Sequence, residues 1–230
     1  MKAMVMLPTY NERENIERVV EAVLKEVRVS IVIVDDSSPD GTGAIADRLA
    51  GDRPGRVHVI HRRERGRGTA GIAGLRYAME QEVDCIIEMD ADFSHDPKRI
   101  PEFLERIEDY DVVIGSRFVE GSEATRNPVR GLISDVAMIY TRLLLGRHIR
   151  DWSGGYKCYR REALRALNFD NFRSKGYSIG METLYRLTRK GFSFVEIPIE
   201  FTDQRKGESK FSAKEILGYM INVMRLRLGV

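Results

Sequence analysis

The chain has 230 residues, 43% of them hydrophobic, which is enough for one large domain with its own core and requires no second. Its 37 basic and 35 acidic side chains leave a formal charge of only +2, so no net field favours nucleic acid, and any positive site has to be local. Cys85 and Cys158, far apart and in apolar or aromatic surroundings, read as reduced buried thiols; neither a secretory leader nor an apolar run long enough to span a bilayer is visible.

Met4 to Leu7 is a short apolar strand, and Ile16, Val19, Val20, Val23, Leu24 and Val27 follow at helical spacing, with Asn11 and Glu14 as a capping pair. The next apolar run, Ile31 to Val34, stops at Asp35 and Asp36, which completes a βαβ unit. A helix opened by Asp40 and Gly41, a strand at Val57 to Ile60, a helix from about Thr69 and a strand at Cys85 to Met89 continue the pattern. Asp96 and Pro97 look like the cap and first residue of another helix. Strands alternating with helices predict an α/β fold with a mostly parallel, Rossmann-like sheet, helices on both faces and a ligand site beyond the carboxyl ends of the strands. The apolar run Val112 to Ser116 is one more strand; the polar stretch Glu120 to Asn127 is long for a connection and reads as a mobile lid, with a broad helix after it to about Leu145. Val195, Ile197, Ile199 and Phe201 alternate with Glu196 and Glu200, and Pro198 confines them to a sheet edge or a broken strand pair. Residues 1–211 are expected to form one domain and 212–230 an amphipathic helix that faces a membrane surface or a small membrane-anchoring partner, or packs on the protein's own core.

The chemistry concentrates where these strands end. Asp90 and Asp92 follow a buried strand at alternate positions, which can aim both carboxylates to one side and suits a hard divalent cation such as Mg²⁺ or Mn²⁺. Asp36 can accept hydrogen bonds from a ribose or a base, whereas Asp40 is read as a helix cap. Arg62, Arg63, Arg65 and Arg67, between glycines, lack the spacing of a Walker loop and read as a solvated loop, one arginine of which could assist a phosphate. Arg117 ends an apolar strand on the same edge as the aspartates and is a phosphate-binding candidate. The four histidines show no zinc-ligand spacing, and His95 is read as a helix-entry residue.

Four segments in one order, Leu7-Pro8-Thr9-Tyr10-Asn11-Glu12, Asp35-Asp36-Ser37-Ser38-Pro39-Asp40-Gly41-Thr42, Asp90-Ala91-Asp92-Phe93-Ser94-His95 and Gly207-Glu208-Ser209-Lys210, resemble the dolichyl-phosphate mannose synthases among the family-2 glycosyltransferases. The resemblance runs over nearly the whole chain. It implies a glycosyltransferase-A fold and inverting transfer of mannose from GDP-mannose to a dolichyl or other polyprenyl phosphate. It further implies donor contacts from Pro8, Tyr10, Glu12, Val34 and Asp36, and a diphosphate and metal site at Asp90, Ala91 and Asp92. Arg117 and Lys210 would face phosphates, and Arg130 would help receive the lipid phosphate. Ser94 stands where relatives often carry a glutamine and is expected to join Asp90 and Asp92 at the metal as a shorter, weaker ligand, directly or through a water. Gln204 stands where the pattern has arginine, with Arg205 following, and Asp135 stands where an arginine is frequent. Glu182 matches a glutamate of relatives and reads either as a sugar-hydroxyl or supporting contact or as plain helix charge. A cytoplasmic protein held peripherally at a membrane is implied. UDP-glucose as donor, or a non-catalytic subunit that binds a nucleotide sugar, remain open at this point.

Overall fold

The computed structural model describes residues 1–125, 128–174, 176, 178–202 and 213–229, apart from the side chains of 128–130 and 213–215. Elements β1 (Ala3–Thr9), α1 (Ile16–Glu26), β2 (Ser30–Asp35), α2 (Thr42–Asp52), β3 (Val57–His61), α3 (Arg67–Glu80) and β4 (Cys85–Glu88) alternate as the sequence predicts. They are followed by α4 (Ile100–Arg106), β5 (Val112–Ser116), β6 (Glu123–Thr125), α5 (Pro128–Leu145), β7 (Lys157–Arg160), α6 (Arg161–Arg165), α7 (Ser178–Arg189), β8 (Phe194–Pro198), β9 (Glu200–Thr202) and α8 (Ala213–Leu228).

Seven strands form one sheet in the order β3-β2-β1-β4-β7-β5-β8, and only β7 runs antiparallel to its neighbours. Both faces are covered, which explains why the strands are unbroken apolar runs. Val5, Leu7, Ile31 and Ile33 pack into one core layer and Met4, Met6, Val32 and Val34 into the other. Helix α3 lies so close to the sheet that a Cβ on Gly74 would stand 2.4 Å from Met6 Cγ and 2.9 Å from Val34 Cγ2. Chain order reverses at β1, which pairs with β2 on one side and β4 on the other, and the crevice at the carboxyl ends of β1 and β4 is where such a sheet takes a ligand.

Several local expectations hold. Asp96 accepts from Lys98 N and leads through a short 3₁₀ turn into α4. Asp40 accepts from Thr42 N and Oγ1, the capping role assigned to it. Cys85 and Cys158 are buried and free. Pro198 ends β8, the edge strand, with β9 broken off beyond it.

Others are corrected. Asn11 does not cap α1; it sits at φ 62° in the turn, and the helix is started by Glu12, whose carbonyl accepts from Asn15 N and Ile16 N. Helix α3 begins at Arg67, so the last of the four arginines is helical. The segment expected to be a lid carries strand β6, paired in parallel with β9 from Glu123↔Glu200 to Thr125↔Thr202. Residues 126 and 127 of it lie outside the described residues.

Helix α8 packs its inner side on α5 and α7. Val223 is fully buried, Tyr219 Oη lies 2.9 Å from Thr141 Oγ1, and Asn222 Nδ2 donates to Ser178 Oγ at 3.2 Å. Its outer side, Leu217, Ile221, Met224 and Leu228, is exposed, as are Leu132, Val136, Ile139 and Leu143 along α5.

Candidate active site

The acidic turn after β4 is held from beneath by His95. Its ring is buried, stacks on Tyr156 at 5.0 Å, and accepts the Asp90 backbone N–H at Nδ1 over 2.9 Å. An accepting Nδ1 places the proton of the neutral ring on Nε2, and burial pushes the imidazole pKa down. His95 therefore does more than enter a helix: it fixes the backbone from which Asp90 projects. Ser94 donates from N and Oγ to Asp92 Oδ1, at 3.0 and 2.5 Å, so the serine orients the second aspartate. Ala91 points into the core and can meet a ligand only through its backbone. The same holds for Val34, whose side chain lies under α3.

The loop after β1 reaches the same place. Glu12 has its pKa raised, first by burial, with the charges of Asp92, Asp90 and Asp40 adding to the effect. Its carboxylate also accepts from Asn15 Nδ2 at 2.8 Å. Pro8 pairs in register with Val34 at the end of β1 and β2. Tyr10 is exposed, with the Arg65 guanidinium 4.4 Å over its ring.

The arginine-rich stretch is solvated only in part: Arg63 and Arg65 are exposed, whereas Arg62 and Arg67 are built into the site. Arg62 Nη1 donates to Asp36 Oδ1 and Gly66 N to Asp36 Oδ2, both at 2.8 Å. Burial raises the Asp36 pKa, and these bonds work against the rise. Arg67 pairs with Asp90 and lies 3.8 Å from Glu88. Glu88 is also faced by Lys157 Nζ at 3.7 Å and Tyr159 Oη at 3.5 Å.

Arg117 follows β5 and is gripped by Asp151, a wholly buried carboxylate, through Nε and Nη2 at 2.8 Å each, while Nη2 also donates to Ser153 Oγ. Burial opposes the charge on both partners, but their attraction outweighs it, so the Asp151 pKa is held down and the Arg117 pKa is raised, with Asp90 adding to the latter. Phe201 of β9 lies 5.2 Å beneath the guanidinium. The structure thus brings Glu12, Asp36, Asp90, Asp92 and Arg117 to one rim of the sheet. Arg130 falls in the first turn of α5, its side chain outside the described residues, as are Gln204, Arg205 and Lys210 entirely.

Glu182 is more than plain helix charge and fits the supporting role among its two readings. It is fully buried and accepts from Arg173 N, Ser174 N and Arg186 Nε at 3.1, 2.7 and 2.8 Å, tying the loop before α7 to the helix. Sequence reading missed Glu88, Lys157 and Asp151 as well, since partners tens of residues away leave no local spacing to find.

A mostly parallel sheet with an aspartate pair at the end of its fourth strand defines the glycosyltransferase-A class of nucleotide-sugar enzymes. The chain belongs to glycosyl transferase family 2, whose model matches residues 4–167. It is 40% identical to the undecaprenyl-phosphate mannosyltransferase of Micrococcus luteus over 98% of this chain and 93% of that one. It is 42% identical to the polyprenol monophosphomannose synthase of Mycolicibacterium smegmatis over 96% and 85%. Among solved structures, glucosyl-3-phosphoglycerate synthase from Mycobacterium tuberculosis, in complex with Mn²⁺, UDP and glucosyl-3-phosphoglycerate, superimposes with a TM-score of 0.68 at 19% identity, covering all of this chain and 80% of that one. A mannosyltransferase from Pyrobaculum calidifontis in complex with GDP-Man and Mn²⁺ gives 0.61 at 17% identity, over 90% and 58%. The chain is a glycosyltransferase.

Proposed function

We propose that the enzyme transfers mannose from GDP-mannose to a polyprenyl phosphate with inversion at the anomeric carbon, at a membrane surface. The observation that carries this reading is the meeting of Asp90 and Asp92 with Arg117 on one rim, in a chain 40% and 42% identical over nearly its whole length to two polyprenyl-phosphate mannosyltransferases.

The donor set fits a divalent ion. Among the described residues no third carboxylate, cysteine or histidine joins Asp90 and Asp92 in a metal-binding group. Asp90 and Asp92 would hold the ion together with phosphate oxygens and water, the usual habit of Mg²⁺ and Mn²⁺ at nucleotides. Ser94 would act through Asp92, whose orientation it sets. A bound ion there would supply charge neutralisation for the departing diphosphate.

The protein's own part is alignment and charge. A phosphate acceptor is already an anionic nucleophile, so no strong base is required, and rate comes from holding it behind the anomeric carbon. Arg117, fixed by Asp151, presents a cation to the phosphates, with Lys210 and Arg205 as the proposed companions from the segment after β9. Arg130, in the first turn of α5, would receive the lipid phosphate. Tyr10, Glu12 and Asp36 line the donor side.

A polyprenyl phosphate stays in the bilayer with its head group exposed, and no helix among the described residues is long and apolar enough to cross a membrane. The exposed apolar faces of α5 and α8 support docking on the surface instead. The deciding experiment is a donor panel against a short polyprenyl phosphate with Mn²⁺ present. Transfer from GDP-mannose is expected, and preferential transfer from UDP-glucose would refute the donor assignment.

A further inference from the structure

Arg67 lies in the middle of the site, beside Asp90 and Glu88. As the first residue of α3 it sends its guanidinium to Asp90 Oδ1, while Nη1 stands 3.8 Å from Glu88 Oε1. All three side chains are largely shielded, at 22%, 18% and 10% exposure, so the attraction between them is weakly screened. The space is shaped for the guanidinium. Gly155 leaves the room: a Cβ there would come within 3.0 Å of Arg67 Nη2 and of His95 Cε1, and within 3.5 Å of Asp90 Oδ2.

A divalent ion and a guanidinium are competing cations for one carboxylate. An ion that takes Asp90 must first outbid Arg67 or share the aspartate with it. Glu88 offers the displaced guanidinium a second anion without leaving the site, and it is held for that role by Lys157 and Tyr159.

We infer that Arg67 is the resting counter-cation of Asp90, which gives up this carboxylate to the divalent ion and shifts its pairing to Glu88. The inference rests on the ion-binding role proposed for Asp90 and Asp92. Its consequence is that the ion binds weakly by itself and tightly only with the donor, whose diphosphate adds ligands and negative charge. Arg67 is thus a positioning residue that ties ion entry to nucleotide entry.

The test is Mn²⁺ binding followed by paramagnetic resonance on the full chain, with no donor or acceptor present. Arg67→Met and, as a second neutral variant, Arg67→Gln are each confirmed as folded by their melting transitions. Both are expected to tighten Mn²⁺ binding by at least about tenfold, while Arg67→Lys, which keeps the cation, stays within about threefold of the parent chain. In an Asp92→Ala background the tight binding should disappear. Equal Mn²⁺ affinity in the parent and both neutral variants, with binding still lost on Asp92→Ala, overturns the counter-cation role and leaves the ion site standing. Mn²⁺ binding that survives Asp92→Ala, or none in any variant, overturns the ion site and the inference with it.

Discussion

The carboxylate of Asp151 grips the guanidinium of Arg117 along two parallel bonds of 2.8 Å, Nε to Oδ2 and Nη2 to Oδ1, and also accepts the Arg117 backbone N–H at 3.1 Å. Such a fork fixes the plane of the guanidinium as well as its position. Because Asp151 is wholly buried, its removal leaves Arg117 largely shielded without its countercharge. Asp151→Ala is therefore expected to cost about 3 kcal/mol of unfolding free energy, read by urea titration, and to slow transfer with it. A loss below about 0.5 kcal/mol would contradict the role of the pair.

The same pair sets a pH dependence. The Asp151 pKa is depressed in the folded protein, where Arg117 and two backbone N–H groups favour the carboxylate against the opposing effect of burial. A depressed folded value means that the unfolded chain binds the proton more readily, so the stabilisation is complete above the ordinary carboxylate pKa of about 3.9. It is lost as pH falls below that, through the folded value. The difference in stability between the parent chain and Asp151→Asn should stay level from neutral pH to about pH 5 and shrink only in stronger acid. A difference that shrinks between pH 8 and pH 6 would point to another group.

Asp92→Ala is expected to abolish transfer while leaving the melting temperature nearly unchanged, because the aspartate lies in a turn whose backbone is held by His95 and Tyr156. Excess chelator should stop the parent enzyme equally. Full activity in chelator would remove the divalent ion from the reaction.

The division between what the sequence revealed and what it hid follows the range of the interactions. Strands β1, β2, β4 and β5 were legible because a sheet buried on both faces needs uninterrupted apolar runs, and their acidic ends were legible because an aspartate after such a run is conspicuous. Arg62 and Arg67 were visible as a basic stretch but wrongly given to solvent, since composition cannot show that Asp36 and Asp90 lie opposite them. Asp151, 34 positions from Arg117, and Lys157, facing Glu88 across β4 and β7, have no local signature at all. Strand β6 escaped notice for a similar reason: its partner among the described residues, β9, is a three-residue strand far along the chain.

Glu182 provides a contrast with the site residues. Its carboxylate is filled by two backbone N–H groups and by Arg186, all from the protein itself. Glu182→Gln, which preserves shape and loses charge, is expected to lower stability by about 2 kcal/mol and to leave the KM for donor within about twofold. A large rise in KM without loss of stability would restore a substrate contact.

The outer faces of α5 and α8 are the expected membrane contact. On α5, Leu132, Val136, Ile139 and Leu143 recur every three or four residues, and on α8 Leu217, Ile221, Met224 and Leu228 do the same, all exposed. The inner side of α8 is spoken for, by Val223 in the core and by Tyr219 and Asn222 in hydrogen bonds to neighbouring helices, so the helix does not have to leave the protein to meet a bilayer. Two adjoining helices that each expose an apolar row can lie on the boundary between head groups and acyl chains, with Arg225 and Arg227 in the last turn of α8 near the head groups. Replacing Val136, Ile139, Ile221 and Met224 together by serine removes apolar surface without touching the core or the acidic turn. Binding to liposomes carrying anionic lipid should weaken by at least about tenfold, equivalent to about 1.4 kcal/mol, which four partly inserted side chains readily supply. Transfer to a short, water-soluble polyprenyl phosphate should be unchanged, because that acceptor needs no bilayer. If the serine variant sediments with liposomes as the parent does, the two helices do not form the membrane contact; if it also loses activity on the soluble acceptor, the exposed rows belong to the catalytic fold itself.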